Sequence, residues 1–357
     1  MPPRHSPLAR YLAGVYWLLV VYGSLYPLSG WRDQGLSPFA FLAAPVPQYV
    51  TAFDVAANVV AYVPLGFLAV LAFTPRLRGA AACAAATLLA AVTSAGLEAA
   101  QGYLPDRIPS NLDLAANTAG AFAGAVAGLG AARWLIRQGR LRAARSRLFR
   151  PGHAVDLGLV LAALWLFTQL NPETLLFGNG DLRDLLAAQP AELYPAGTFA
   201  QIEAGVAAAN AIAAALFVAL LVNPGQPLRL LVLALVLGAV VARSAAFAIL
   251  FQGHGAFAWL TPGAAAGLAI GTAAALLAVG LPRPWAVALC GLALMAATAL
   301  VNLAPANPYV AQALAVWPQG HFLNFNGLTR LVSALWPFAG LAYLLVAVGA
   351  STRGAMP

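Results

Sequence analysis

About 20 consecutive apolar residues are enough to cross a bilayer as a helix, and ten such runs follow one another in this chain. They lie at about 11–28, 53–74, 79–100, 112–135, 154–171, 198–222, 228–251, 261–281, 284–304 and 329–349. In hydrocarbon every backbone amide must find its partner inside the segment, which leaves helices as the form such runs can take. The expected fold is therefore all-α, a polytopic transmembrane helix bundle of about ten spans. Only 8% of residues are charged, against about 25% in soluble domains. The chain holds no lysine, so its 19 basic residues are all arginine. A formal charge of +8 would suit nucleic acid, but the arginines stand in short loops between apolar runs, which excludes that partner and marks topology instead.

Placing the N-terminus inside puts Arg4, Arg10, Arg76, Arg78, the seven arginines from Arg133 to Arg150, Arg229, Arg283 and Arg353 on the inner side, 14 of the 19. Most acids then fall on outer loops and outer span ends, Asp156 being the exception. By the positive-inside rule both termini face the cytoplasm. Residues 1–30 show no small-residue cleavage site after a short apolar core, so the first run reads as an uncleaved span. Cys83 and Cys290 lie within apolar runs and form no disulfide framework, and no His/Cys spacing suits a metal. No phosphate-binding or dinucleotide loop is present, and no cofactor is indicated.

Three domains are expected: a four-helix transmembrane domain over 1–135, an Arg-rich cytoplasmic linker over 136–153, and a six-helix transmembrane domain over 154–357. The linker reads as an anchor against anionic lipid of the inner leaflet. Past it, residues 94–128 lie over 244–278 at an offset near 150, which suggests a degenerate parallel 4+4 repeat followed by a terminal helix pair. At that offset Glu98 meets Ala248, Asp113 meets Gly263 and Asn117 meets Gly267. The polar set is missing from the copy, so chemistry is expected in the first part. Gly120, Gly124 and Gly128, and likewise Gly263, Gly267 and Gly271, are spaced for close helix packing.

The polar residues of the first part gather at three helix ends on the expected outer side. Asp54 and Asn58 share a face at the start of the second span, Asp113 and Asn117 do so at the start of the fourth, and Glu98 and Gln101 do so at the end of the third. Thr51-x-x-Asp54 and Ser110-x-x-Asp113 both match the capping box. Glu98 precedes a helix end, where the dipole disfavours an anion, and no capping role is expected for it; it either pairs with Arg107 or serves as a functional carboxylate. Arg107, in the turn between the third and fourth spans, offers a planar fork for phosphate or carboxylate. Glu98, Asp113 and Asp54 are the candidate acid/base groups, or alternatively oxygen ligands to a divalent cation. Arg107, Gln101, Asn58 and Asn117 are the candidate ligand-binding residues.

Elsewhere, residues 172–197 read as a solvated acidic loop, and the amide- and aromatic-rich stretch Asn302–Arg330 as an interfacial belt or, alternatively, a sugar-binding rim against which rings stack. His254 is isolated. Arg243, inside an apolar run, must pair or line a cavity, with Glu203 or Glu98 as partners.

The pattern Asp54-x-x-x-Asn58-x-x-x-Tyr62-x-Pro64-Leu65-Gly66-Phe67, then Ser94-x-x-x-Glu98-x-x-Gln101 and Arg107-x-Pro109-Ser110-x-x-Asp113-x-x-x-Asn117-x-x-Gly120, resembles the VanZ-like family of bacterial membrane proteins over roughly residues 11–135. The resemblance implies a bacterial inner-membrane protein linked to the cell envelope, with the family's association with teicoplanin resistance and no settled reaction. Its implied partners are membrane lipid and a lipid-linked or glycoconjugate ligand. About 220 further residues set this chain apart from short members of that family.

Overall fold

A computed structural model describes residues 7–46, 50–74, 76–132, 140–183, 194–250, 255–305 and 323–353. Among them the secondary structure is helical, with no β-sheet. The chain divides into two compact units, Met1–Arg147 and Leu148–Pro357. Eight of the described helices are long and apolar enough to cross a membrane, which makes this a multi-pass membrane protein.

Unit 1 contains α1 (Leu8–Leu25), a short 3-10 turn (Ala40–Ala43), α2 (Ala52–Phe73), α3 (Ala80–Gln101) and α4 (Asn111–Ala131). Its closest contact joins α2 to α4. A Cβ added at Gly120 would stand 2.1 Å from the Val59 carbonyl oxygen, one at Gly124 1.9 Å from that of Val63, and one at Gly128 2.9 Å from that of Phe67. Contacts that advance four residues together on both helices mean that α2 and α4 run parallel. The reciprocal glycine is Gly66, where an added Cβ would stand 1.9 Å from the Ala121 carbonyl oxygen. Helices in lipid gain little from the hydrophobic effect, so backbone approach of this kind supplies the dispersion contact that joins them. Helix α1 leans on the pair through Tyr16, whose hydroxyl donates to the Ala61 carbonyl at 2.9 Å, and on α3 through Trp17, which donates to Thr93 at 3.1 Å.

The Arg-rich helix α5 (Arg140–Leu148) leads to unit 2, which holds α6 (His153–Thr168), α7 (Ala196–Leu221), α8 (Leu228–Leu250), α9 (Pro262–Ala278), α10 (Arg283–Leu303) and α11 (Leu323–Arg353). Glycines again join the second and fourth helices of the set. Cβ atoms at Gly263 and Gly267 would lie 2.6 Å from the carbonyl oxygens of Ala200 and Ala204, and one at Gly271 2.6 Å from the Ala208 Cα. Helices α7 and α9 therefore also run parallel, so the arrangement of unit 1 recurs in unit 2.

All ten apolar runs are helices, but α6 and α9 have only 16 and 17 residues. At 1.5 Å per residue they span about 24–26 Å, short of the roughly 30 Å hydrocarbon core. The chain after α6 explains one of these shortfalls. Asn171 and residues 172–183, which belong to the expected solvated loop over 172–197, turn back into the unit, where Asn171, Leu176, Phe177 and Asn179 are buried. Asn302 on α10 donates to the Gly180 carbonyl at 2.7 Å and accepts from the Leu182 amide at 2.8 Å. Ser333 on α11 donates to the Gly178 carbonyl at 3.2 Å, and the Ser333 carbonyl accepts from Gly180 at 2.9 Å. Ser333 lies nine residues past Asn324, the first residue of that apolar span, about 14 Å along the helix. Irregular backbone at such depth is stable only when protein satisfies it, and Asn302, Ser333 and Arg243 do so here. The acids Asp184 and Glu192, His254, and the Asn307–His321 part of the aromatic stretch lie outside the described residues.

Candidate functional site

In unit 1 the connection between α3 and α4, residues 102–110, is bracketed by prolines and held from one side by the segment after α1. Gln101 donates to the Ser24 carbonyl at 2.9 Å and Arg107 Nη2 to the Tyr26 carbonyl at 2.8 Å. The Gln34 amide donates to the carbonyls of Gly102 and Leu104 at 2.9 and 3.1 Å, and the Arg32 amide to that of Tyr103 at 2.9 Å. Nothing in the spacing of residues 24–34 marks this role. These are mostly contacts to backbone carbonyls, which many residue types offer.

The helix starts follow the expected capping on α2 and depart from it on α4. Thr51 and Asp54 make the full capping box, the Asp54 amide donating to the Thr51 hydroxyl and the Thr51 amide to Asp54 Oδ2, both at 3.1 Å. Ser110 accepts from the amides of Leu112 and Asp113 at 3.2 and 3.3 Å. Its own amide, however, donates to Glu98 Oε2 at 2.8 Å. Glu98, 3% exposed, thus has the capping role that the sequence did not suggest, supplied from another helix. The substitution frees Asp113 from the box: its carboxylate hydrogen-bonds the side chain of Asn58 and feels the charge of Asp54.

Arg107 is half-buried in the turn. Burial lowers its pKa against the opposing charges of Glu98 and Asp106, and a guanidinium still remains protonated at neutral pH. Glu98 and Arg107 are therefore within electrostatic reach of each other, while the guanidinium holds the Tyr26 carbonyl. One turn below Glu98 on α3, Ser94 accepts from Asn117 Nδ2 at 3.0 Å, and the buried Tyr62 hydroxyl of α2 lies beside Ser94 and Glu98.

Of the seven residues singled out in the sequence, Glu98, Arg107, Asp113, Asn58 and Asn117 gather at one end of unit 1, where α2 and α4 begin and α3 ends. Asp54 is at the same end but serves first as a cap, and Gln101 acts as a tether to α1. Tyr62, Ser94 and Ser110 join the group. Their signal in the sequence is the four-residue spacing of Asn58 to Tyr62 and of Ser94 to Glu98.

Unit 2 has a buried polar centre of its own, which the offset of 150 did not disclose. Arg243 on α8, 3% exposed, donates to the carbonyls of Asn171 and Thr174 in the inward-turned segment. Its charge reaches Glu203 on α7, which accepts from the Thr261 hydroxyl at 2.6 Å. Thr261 in turn caps α9 by accepting from the Ala264 amide at 3.0 Å. Both units thus use an arginine on carbonyls that follow the first helix and an acid at the start of the fourth. The residues come from different helices in the two cases (α3 and its turn in unit 1, α7 and α8 in unit 2), so aligning one part over the other cannot pair them.

These helix ends, and the polar group they enclose, form a candidate site at one end of a helical unit. A family model described as VanZ/LLP1 matches residues 10–132, and this part of the chain is a VanZ-like domain. No curated protein and no solved structure matches the chain.

Proposed function

We propose that the VanZ-like unit binds the anionic headgroup of an envelope-related amphiphile, a lipid-linked phosphate or glycoconjugate, from the outer leaflet of a bacterial inner membrane, with both termini cytoplasmic. The observation that carries this reading is the placement of Arg107: a fork-shaped cation on a short turn at the rim of a buried group of carboxyls and amides. Phosphate and carboxylate match that fork, and ionisable groups at membrane depth are expensive unless they serve a purpose. In this reading Arg107 holds the anion, Asn58 and Asn117 orient the groups around it, and Glu98 and Asp113 act as acid/base groups or cation ligands, with Asp54 behind them. The link to teicoplanin resistance comes with the family and is part of the same proposal.

The test is lipid retention by the purified full chain, read by native mass spectrometry after incubation with polyprenyl phosphate in mixed micelles. Arg107→Gln should lower retention by about tenfold or more, the loss of roughly 1.4 kcal/mol or more in binding, because an amide cannot replace a charged two-pronged donor. Equal retention by both proteins would remove Arg107 from the site.

A second reading, a transporter or flippase of an amphiphile, is favoured by the inward-turned segment of unit 2, since short helices joined to buried irregular backbone are a device of transporters. Movement of a labelled polyprenyl phosphate across sealed vesicles would separate it from the first.

A further inference from the structure

The polar group of unit 1 does not end at Glu98. Tyr62 from α2, Ser94 and Glu98 from α3, and Asn117 from α4 form a buried set beneath the turn, none of them more than 5% exposed. One of its atoms, Asn117 Oδ1, has no hydrogen-bond partner among the described residues, while the Tyr62 hydroxyl interacts with Ser94. Buried polar atoms without partners are rare in native proteins and call for an occupant.

The chemistry of the set restricts that occupant. Asn117 gives its amide hydrogen to Ser94 at 3.0 Å, so what it presents is a bare carbonyl oxygen. Glu98 gives one carboxyl oxygen to the Ser110 amide at 2.8 Å and keeps the other. The hydroxyls of Ser94 and Tyr62 add lone pairs. Every group is oxygen, and nitrogen and sulfur ligands are missing from the set, which is the preference of hard cations. The surrounding charge points the same way. Glu98, Asp113 and Asp54 act on one another or on Arg107 in sequence, and Asp106 acts on the same arginine, four carboxyls to one guanidinium. A divalent ion recruits several carboxylates, whereas here a single carboxylate is joined by neutral oxygens.

We propose that Tyr62, Ser94, Glu98 and Asn117 bind a monovalent metal cation, sodium, beneath the headgroup site. The ion offsets the charge of Glu98 at membrane depth and weakens its pull on Arg107, so that an incoming anion meets less competition for the guanidinium, which still holds the Tyr26 carbonyl. Sodium and the anion then bind with positive coupling, each raising the affinity for the other by the same factor. The inference uses the site assigned above but does not depend on which amphiphile that site takes.

The experiment is thermal unfolding of the detergent-purified full chain, without added lipid, in NaCl, KCl and choline chloride at equal ionic strength. A saturable rise in unfolding temperature specific to sodium is expected. Tyr62→Phe removes a single oxygen and should raise the half-saturating sodium concentration by about tenfold, the lower end of what loss of a supporting group costs a metal site. Should Tyr62→Phe not fold, Ser94→Ala is the replacement, with the same expected shift. Equal responses to the three salts, a stabilisation that follows pH but not sodium, or variants that respond like the parent would each overturn the proposal. Because no lipid enters this experiment, a negative result here with polyprenyl phosphate still retained would dispose of the cation alone.

Discussion

Replacing Arg243 by leucine is expected to cost about 3–5 kcal/mol of stability, the range for breaking a buried charged contact from one side. The loss has two parts. The carbonyls of Asn171 and Thr174 lose the guanidinium that donates to them, the Asn171 carbonyl keeping only the Thr174 hydroxyl at 3.2 Å, which weakens the hydrogen bonding of groups turned away from water, and Glu203 loses the opposite charge that acts on it. The segment these carbonyls belong to is irregular backbone inside a membrane protein, so water cannot take the place of the arginine cheaply. Arg243→Lys keeps the charge but cannot reach both carbonyls with one fork, and should fall between leucine and the parent. The double variant Arg243→Leu with Glu203→Leu should be less damaged than the sum of the single changes, because it leaves no uncompensated carboxylate. Unfolding in detergent, followed by tryptophan fluorescence, measures the parent and the four variants, Glu203→Leu alone included. An Arg243→Leu protein as stable as the parent would show that the inward-turned segment is held by other means.

The second large effect is expected at Gly124. A valine there must place its Cβ about where the Val63 carbonyl oxygen stands, since even the bare Cβ position lies 1.9 Å from that oxygen. The obstacle is backbone, so no side-chain rotation relieves it, and α2 must move away from α4. The cost should reach or exceed the 1–3 kcal/mol typical of overpacking. The displacement also draws Asn58 away from Asp113, so the damage should include ligand retention as well as stability. Gly96 and Gly130 provide controls, since a Cβ at either meets nothing within 4 Å; alanine there should leave stability unchanged or slightly raised. Similar losses at Gly124 and Gly96 would mean that helix propensity, and not the approach of α2 to α4, governs these positions.

Much of this architecture is legible from residues alone. Apolar runs report helices in lipid because the solvent permits little else, and the four-residue glycine spacing announces a close-packing face on α4, though not that α2 is its partner. The gathering of Glu98, Arg107 and Asp113 is legible too, since two Asp-x-x-x-Asn helix starts and one Glu-bearing helix end must meet if the spans alternate in direction. The partner of Glu98 is not. Spacing shows that Ser110 begins a helix, but whether its amide goes to Asp113, three residues on, or to Glu98, twelve residues back, depends on how closely α3 approaches α4. The burial of residues 171–183 escaped for a related reason. Asn171, Glu173, Asp181 and Arg183 look like a solvated loop by composition, and only the donors waiting on α8, α10 and α11 let the backbone of this segment turn inward. Those donors, Arg243, Asn302 and Ser333, lie 69–155 residues away in sequence, beyond the reach of any local pattern.

The central claim is that the Glu98 carboxylate serves a ligand and not merely the start of α4, and one comparison tests it. Glutamine at position 98 retains an oxygen to accept from the Ser110 amide but carries no charge, whereas alanine loses both. The measurement is the unfolding temperature of the parent, Glu98→Gln and Glu98→Ala in choline chloride free of sodium, each with and without polyprenyl phosphate in mixed micelles. The account predicts that Glu98→Gln unfolds with the parent when lipid-free yet loses the rise that lipid gives, and that Glu98→Ala is destabilised in both conditions. A Glu98→Gln protein that unfolds as early as Glu98→Ala, or one that is stabilised by the lipid as fully as the parent, would contradict it.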